Sequence, residues 1–126
     1  MELLTGVFKA LADRNRLRML AALMRYDELC ACQLIELIQV TGATASRHMG
    51  VLIASGLVAS RKEGRWVYYR LCREKAEYHS LISWIEARLK ISPDAEKDAK
   101  TLTTIMAFDP EDLCRKQHGE SCCPPK

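Results

Sequence analysis

Proline and glycine are scarce in this chain, 4 and 6 of 126 residues. So few breakers exclude a collagen-like or low-complexity sequence, and 48% hydrophobic with 28% charged residues excludes wholesale disorder. Long apolar runs are also missing. Charge interrupts every stretch well short of the roughly 20 apolar residues that cross a bilayer. The N-terminal segment carries Glu2, Lys9, Asp13, Arg14, Arg16 and Arg18 where a secretory leader needs an unbroken apolar centre. The expectation is a cytoplasmic protein with no membrane partner. There is no Cys-X-X-Cys pair, no phosphate-cradling glycine loop and no nucleophile beside an evident base, which argues against an enzyme.

What remains is one domain's length of chain with a core of its own and a tail. Nineteen Lys and Arg against sixteen Asp and Glu give a net charge of +3, too mild to name a partner until the charge is located. Six cysteines in a reducing compartment point to metal binding or redox chemistry rather than structural disulfides.

Apolar residues at helical spacing predict a helix over 3–11, weakened by Gly6, and a second from the N-cap Asp13 to about Tyr26. A third short helix runs from about Cys30 to Ile38, and Val40-Thr41-Gly42 reads as a turn. Thr41 then caps a fourth helix to Ser55, with Gly56 at the left-handed C-terminal position. Helix, short turn, helix is a helix-turn-helix. The segment after it, LVASRKEGRWVYYRL, has two runs rich in Val, Trp and Tyr around Lys62-Glu63-Gly64-Arg65, a β-hairpin pattern. Trp66, Tyr68 and Tyr69 are assigned to hairpin packing and Cys72 to the core. Tyr78, Leu81, Ile82, Ile85 and Leu89 make one face of a helix over 74–90 that Pro93 stops. That face is expected to meet its copy in a second subunit, with or without the first helix, as a two-fold dimer. The fold class is mainly α with a β-hairpin wing, a homodimeric winged helix-turn-helix. Residues 1–92 are the DNA-binding and dimerisation domain, and 93–126 an extension with a further helix over 94–108 and then a flexible, cysteine-rich tail.

Between Arg61 and Arg70 the charges sum to +3, as much as the whole chain. A basic hairpin beside a helix-turn-helix points to double-stranded DNA, with the second helix in the major groove and the wing on phosphates or the minor groove. Arg47 lies opposite the apolar face formed by Ala45, Met49 and Leu52, and has the geometry to bond a guanine edge. Thr44 and Ser46 reach bases or phosphates, His48 lies beside them as a contact or packing residue, and Lys62 and Arg65 supply phosphate contacts.

In Glu28-Leu29-Cys30-Ala31-Cys32, a Cys-X-Cys pair at a helix start turns both sulfurs toward one thiophilic ion, and the helix dipole favours their thiolates. Cys114, Cys122 and Cys123 are candidates for a further ligand, and His118 is either ligand or bystander.

ALADRNRLRML, ELCACQL, SRHMGVLIASGLV and RKEGRWVYYRL together resemble the ArsR/SmtB family of winged-helix metalloregulatory repressors, most closely its arsenite-responsive members, over residues 3 to 90. The resemblance implies a homodimer on an inverted-repeat operator that represses metal or metalloid resistance genes and leaves DNA when its inducer binds. By position Cys30 and Cys32 match the family's inducer thiols, whereas its third cysteine is Ile35 here. Trivalent arsenic or antimony prefers three sulfurs. Cys122 or Cys123, next Cys114, or a small-molecule thiol completes the site, or two thiols suffice. The pair equally resembles the sensor of cadmium- and lead-responsive relatives, which keeps those ions as an alternative. Glu77 and His79 only half match the family's zinc pattern, since no second histidine follows on that helix. A thiol redox-sensing repressor and an enzyme such as an arsenate reductase are the remaining alternatives.

Overall fold

Asp13, Thr41 and Ser92 each accept a hydrogen bond from the backbone N–H three residues ahead, at Arg16 (3.1 Å), Thr44 (3.1 Å) and Ala95 (3.4 Å), and so start three of the helices. A computed structural model describes residues 1–118. Its elements in order are α1 (Glu2–Leu11), α2 (Arg14–Arg25), β1 (Leu29–Cys30), α3 (Ala31–Ile38), α4 (Gly42–Ala54), β2 (Val58–Glu63), β3 (Trp66–Leu71), a 3₁₀ turn (Ala76–Tyr78), α5 (His79–Lys90), α6 (Pro93–Met106) and α7 (Pro110–His118). This is a winged helix with a helical extension.

The left-handed residue between α3 and α4 is Gln39, with φ 61°, and not a glycine. Its N–H bonds the Ile35 carbonyl at 2.8 Å and its side-chain amide bonds the Glu36 carbonyl at 2.6 Å, which holds the conformation. The hairpin turn narrows to Gly64-Arg65, because Glu63 pairs with Trp66, and Gly64 takes the positive φ of 61° that the first position of a two-residue turn requires. The sheet has a third member that the sequence does not reveal. Leu29 and Cys30 pair antiparallel with Tyr69 and Tyr68, giving the order β1-β3-β2. Two residues are too few to show an alternation.

Leu20, Leu23, Leu29, Leu34, Met49, Leu52 and Leu57 are fully buried between α2, α3, α4 and the sheet. Leu102 and Ile105 of α6 and Leu113 and Cys114 of α7 join the same cluster. Asp98 of α6 takes Arg18 of α2 in a bidentate pair at 2.8 and 3.1 Å, and the same guanidinium reaches the Leu37 carbonyl at 3.2 Å. The side-chain bond to Asp98 holds the Arg18 guanidinium above its usual pKa despite some burial. The extension therefore shares the core of the winged helix. Pro93, expected to stop the preceding helix, is also the first residue of α6, where a missing N–H costs nothing. The flexible tail expected from residue 109 onward is helical over Pro110–His118. Among the described residues of this segment the buried apolar side chains are Leu113 and Cys114, too few to produce a visible period.

Of the α5 face expected to meet a second subunit, Tyr78, Ile82 and Ile85 are buried within the protomer, and Leu81 and Leu89 are half-buried. Large apolar side chains left outside include Leu3, Leu4 and Phe8 on α1 and Trp84 on α5, the last two 61% and 63% exposed, and also Ile53, Ile91 and Phe108. No helix among the described residues is long and apolar enough to cross a membrane.

Gly56 ends α4 at φ 85°, and a Cβ there would lie 3.1 Å from Lys75 Nζ and 3.2 Å from the Tyr78 hydroxyl. That hydroxyl donates to the Ser55 carbonyl at 2.7 Å. Gly56→Ala is expected to cost about 1–3 kcal/mol in urea unfolding, from left-handed strain and a displaced Tyr78. An unchanged or higher midpoint would refute this.

Candidate nucleic-acid interface and thiol site

Thr41 and Thr44 form a hydroxyl pair at 2.9 Å at the front of α4. One hydroxyl hydrogen is shared between them, so the other remains for an outside acceptor. Ser46 and Arg47 are exposed on the same helix, and Arg47 makes no ion pair among the described residues. His48 is placed differently. Its Nδ1 lies 3.1 Å from Arg16 Nη1, and Arg16 also donates to the carbonyls of Lys9 (2.9 Å) and Ala10 (2.8 Å). His48 thus ties the recognition helix to the end of α1.

The wing carries the expected cations, but acids occupy most of them. Arg61 forks onto Glu28 at 2.7 Å through both Nε and Nη2, bonds Glu63 at 2.9 Å and stacks 4.6 Å above the Tyr68 ring. The Glu28 bond, then that of Glu63, holds the guanidinium above its usual pKa, and Arg61 in return holds the Glu28 carboxyl below its own. Arg70 pairs with Glu74 at 2.9 Å, and Arg65 lies 3.7 Å from Glu111 of α7. Lys62 alone of the four makes no ion pair among the described residues. The net charge of the segment therefore overstates what faces a phosphate. The paired acids Glu28, Glu74 and Glu111 lie outside the hairpin in sequence, which is why a local charge count missed them.

Cys30 and Cys32 are both buried, at 1% and 6% exposure. Cys30 is the N-cap of α3. Gln33 closes a capping box with it, accepting the Cys30 N–H at 2.9 Å. The same residue belongs to β1, opposite Tyr68 of the wing. Burial, followed by the nearby Cys30, pushes the Tyr68 hydroxyl up in pKa. The first thiol thus sits where the wing sheet joins the helix-turn-helix.

The start of α3 lies under α7. Gln117 donates to the Cys32 carbonyl at 2.8 Å and to Glu36 at 3.2 Å, and Lys116 reaches Glu36 at 3.1 Å. Burial raises the Glu36 pKa, but the bonds from Gln117 and Lys116 more than offset it, so the carboxyl stays below its usual range. Ile35, at the position of the absent third thiol, lines the same cleft as Gln117. Cys114 is buried one helical turn before Gln117 and is disulfide-bonded. Such a bond is open to the thiol pool of a reducing compartment. Cys72 is buried and free, as expected of a core residue. Among the described residues no three of His, Cys, Asp and Glu stand close enough together to hold an ion. Cys122 and Cys123 lie outside the described residues, as does the side chain of His118. Gln117 and Glu111 carry no sequence pattern that would have marked them, and Glu28, although it opens the thiol motif, has no pattern that marks it as the partner of Arg61.

Residues 13–60 match the family model of the bacterial regulatory proteins of the arsR family. The arsenic resistance transcriptional regulator ArsR1 of Pseudomonas putida is 38% identical over 92 residues, 73% of this chain and 67% of that protein. The cadmium resistance regulatory protein CadC of Listeria innocua is 45% identical over 65 residues, 52% of this chain and 55% of that protein. Among solved structures, a homodimeric winged helix-turn-helix DNA-binding domain from Mycobacterium bovis, a possible ArsR-family regulator, aligns with TM-score 0.60. It has 27% identity and covers 71% of this chain and 80% of its own. The motifs, the three-stranded wing and these likenesses lead to one conclusion: the chain belongs to the ArsR family of winged-helix, DNA-binding transcriptional regulators.

Proposed function

We propose that the protein represses a metalloid-resistance operon as a homodimer on an inverted-repeat operator and leaves it when arsenite or antimonite binds Cys30 and Cys32. The observation that carries this reading is the double membership of Cys30, which caps α3 and pairs with the wing strand β3. A bond at that sulfur acts on both DNA-binding parts at once, since α3 leads through Gln39 into α4. Each thiol that binds As(OH)₃ forms one S–As bond, and its proton leaves with a displaced hydroxide as water. The third sulfur comes from the extension. Cys114, once reduced, has its helix already on α3, and Cys122 and Cys123 follow it within nine residues. Exposed Leu3, Leu4, Phe8 and Trp84 support a dimer through α1 and α5, in keeping with the homodimeric M. bovis domain.

The 45% identity to a cadmium resistance regulator favours cadmium as the second reading, and lead stands beside it only as another thiophilic divalent ion. The test is fluorescence anisotropy of phosphine-reduced protein on DNA upstream of its own gene, titrated with arsenite, antimonite, cadmium, lead and zinc at fixed salt. Release by arsenite and antimonite at lower concentrations than by the divalent ions is expected. A coupling of about 1–3 kcal/mol corresponds to 5- to 150-fold weaker DNA binding. Release by cadmium or lead alone selects the second reading, release by peroxide but no metal selects a redox sensor, and absence of specific DNA binding refutes repression.

A further inference from the structure

The helix α7 touches both the thiol helix and the wing. At its C-terminal end Lys116 and Gln117 hold Glu36 and the Cys32 carbonyl. At its N-terminal end Glu111 faces Arg65, the second residue of the wing's two-residue turn, at 3.7 Å. The two ends are six residues apart, about 9 Å along a helix, so α7 is short enough to move as one piece. Arg65 is also folded inward. Its side chain is 26% exposed although it stands at a hairpin tip, and its Nε is buried with no hydrogen-bond partner. An arginine held this way loses hydration without full compensation, and a phosphate outside would restore its bonding. Glu111 has a second cation waiting, since Arg115 Nη2 lies 3.2 Å from the same Oε1. When Arg65 leaves, the carboxylate stays paired.

We propose that Glu111 is a competitive latch on Arg65. With α7 docked, the guanidinium is committed to the carboxylate, and DNA must pull it away to gain a wing–phosphate contact. An inducer held between α3 and a thiol of the extension fixes α7 in place, keeps Arg65 latched and lowers operator affinity. The inducer half of this rests on the function proposed above. The competition between Glu111 and phosphate does not.

The test uses the full chain, reduced with a phosphine, and operator anisotropy over a range of salt. Glu111→Gln is expected to tighten inducer-free binding about 2- to 10-fold, one weak ion pair being relieved in each protomer. It should also steepen the salt dependence toward one further phosphate per protomer. The gain should vanish in an Arg65→Ala background. Asp112→Asn, the same charge change one residue away, should not reproduce it. With arsenite, Glu111→Gln should retain the ultraviolet absorption of thiolate-bound arsenic yet release less DNA than the parent. No gain from Glu111→Gln, or an equal gain without Arg65 or from Asp112→Asn, overturns the latch. A parent protein that binds no arsenite refutes the proposed inducer while leaving the inducer-free comparison standing.

Discussion

Replacing Cys30 and Cys32 together by serine is expected to reduce the ratio of operator affinities without and with arsenite from 5- to 150-fold to about one. The two sulfurs supply the soft ligands for the ion, and a serine hydroxyl stays protonated and binds it poorly. Serine is also a good helix cap, so Cys30→Ser keeps the start of α3 intact, offsetting part of the cost of a buried hydroxyl. A thermal melt of the variant separates lost response from lost fold. Coupling is reciprocal, so operator DNA must weaken arsenite binding to the parent protein by the same factor, and the variant must show no thiolate-to-arsenic absorption. A stable double variant that still releases DNA with arsenite would remove these thiols from the mechanism. Single replacements rank the two. Cys30 is in the wing sheet and Cys32 is not, so Cys30→Ser should cut the coupling even where Cys32 and an extension thiol still capture the ion.

The parts legible in the sequence are those with a local signature. Asp13, Thr41, Gly56 and Gly64 mark element ends, and each has the cap or backbone angle expected of it. The apolar stripes gave the helices of the winged domain. What was hidden depends on contacts between distant residues. Strand β1 is two residues long and exists because Tyr68 and Tyr69 offer it an edge. The left-handed turn at Gln39 is held by the Ile35 carbonyl, where a glycine would have been the readable sign. Helix α7 has a polar sequence and is stabilised by Glu36, the Cys32 carbonyl and Arg65, partners between 46 and 85 residues away. The site shows the same division. The Cys-X-Cys pair and Arg47 were visible as residue types in a pattern, whereas the cover over the thiols and the acids that occupy Arg61, Arg65 and Arg70 appear only once the chain is folded.

That occupation changes which cation should matter most for DNA. Arg61 would have to break a bidentate pair with Glu28 to reach a phosphate, and Arg70 and Arg65 would each leave a carboxylate. Arg47 stands on the outer face of α4, exposed and in no ion pair among the described residues, and its fork fits the O6 and N7 of guanine. Arg47→Ala is therefore expected to give the largest loss of operator affinity of any single surface replacement. One bidentate arginine–guanine contact is worth about 1–3 kcal/mol. A dimer places two, so the loss is about 2–6 kcal/mol, from about 30-fold to beyond 10⁴-fold. Folding should be untouched, since alanine is a strong helix former and the side chain lies outside the core. Lys62→Ala is the contrast, a uniform weakening on any sequence with the salt slope reduced by about one phosphate per protomer. Parallel titrations on operator and scrambled DNA decide between base reading and phosphate binding. If Arg47→Ala weakens both DNAs equally, Arg47 binds phosphate and sequence is read by Thr44 and Ser46. If only operator binding falls, the selectivity of the repressor rests on the α4 guanidinium that no acid among the described residues occupies.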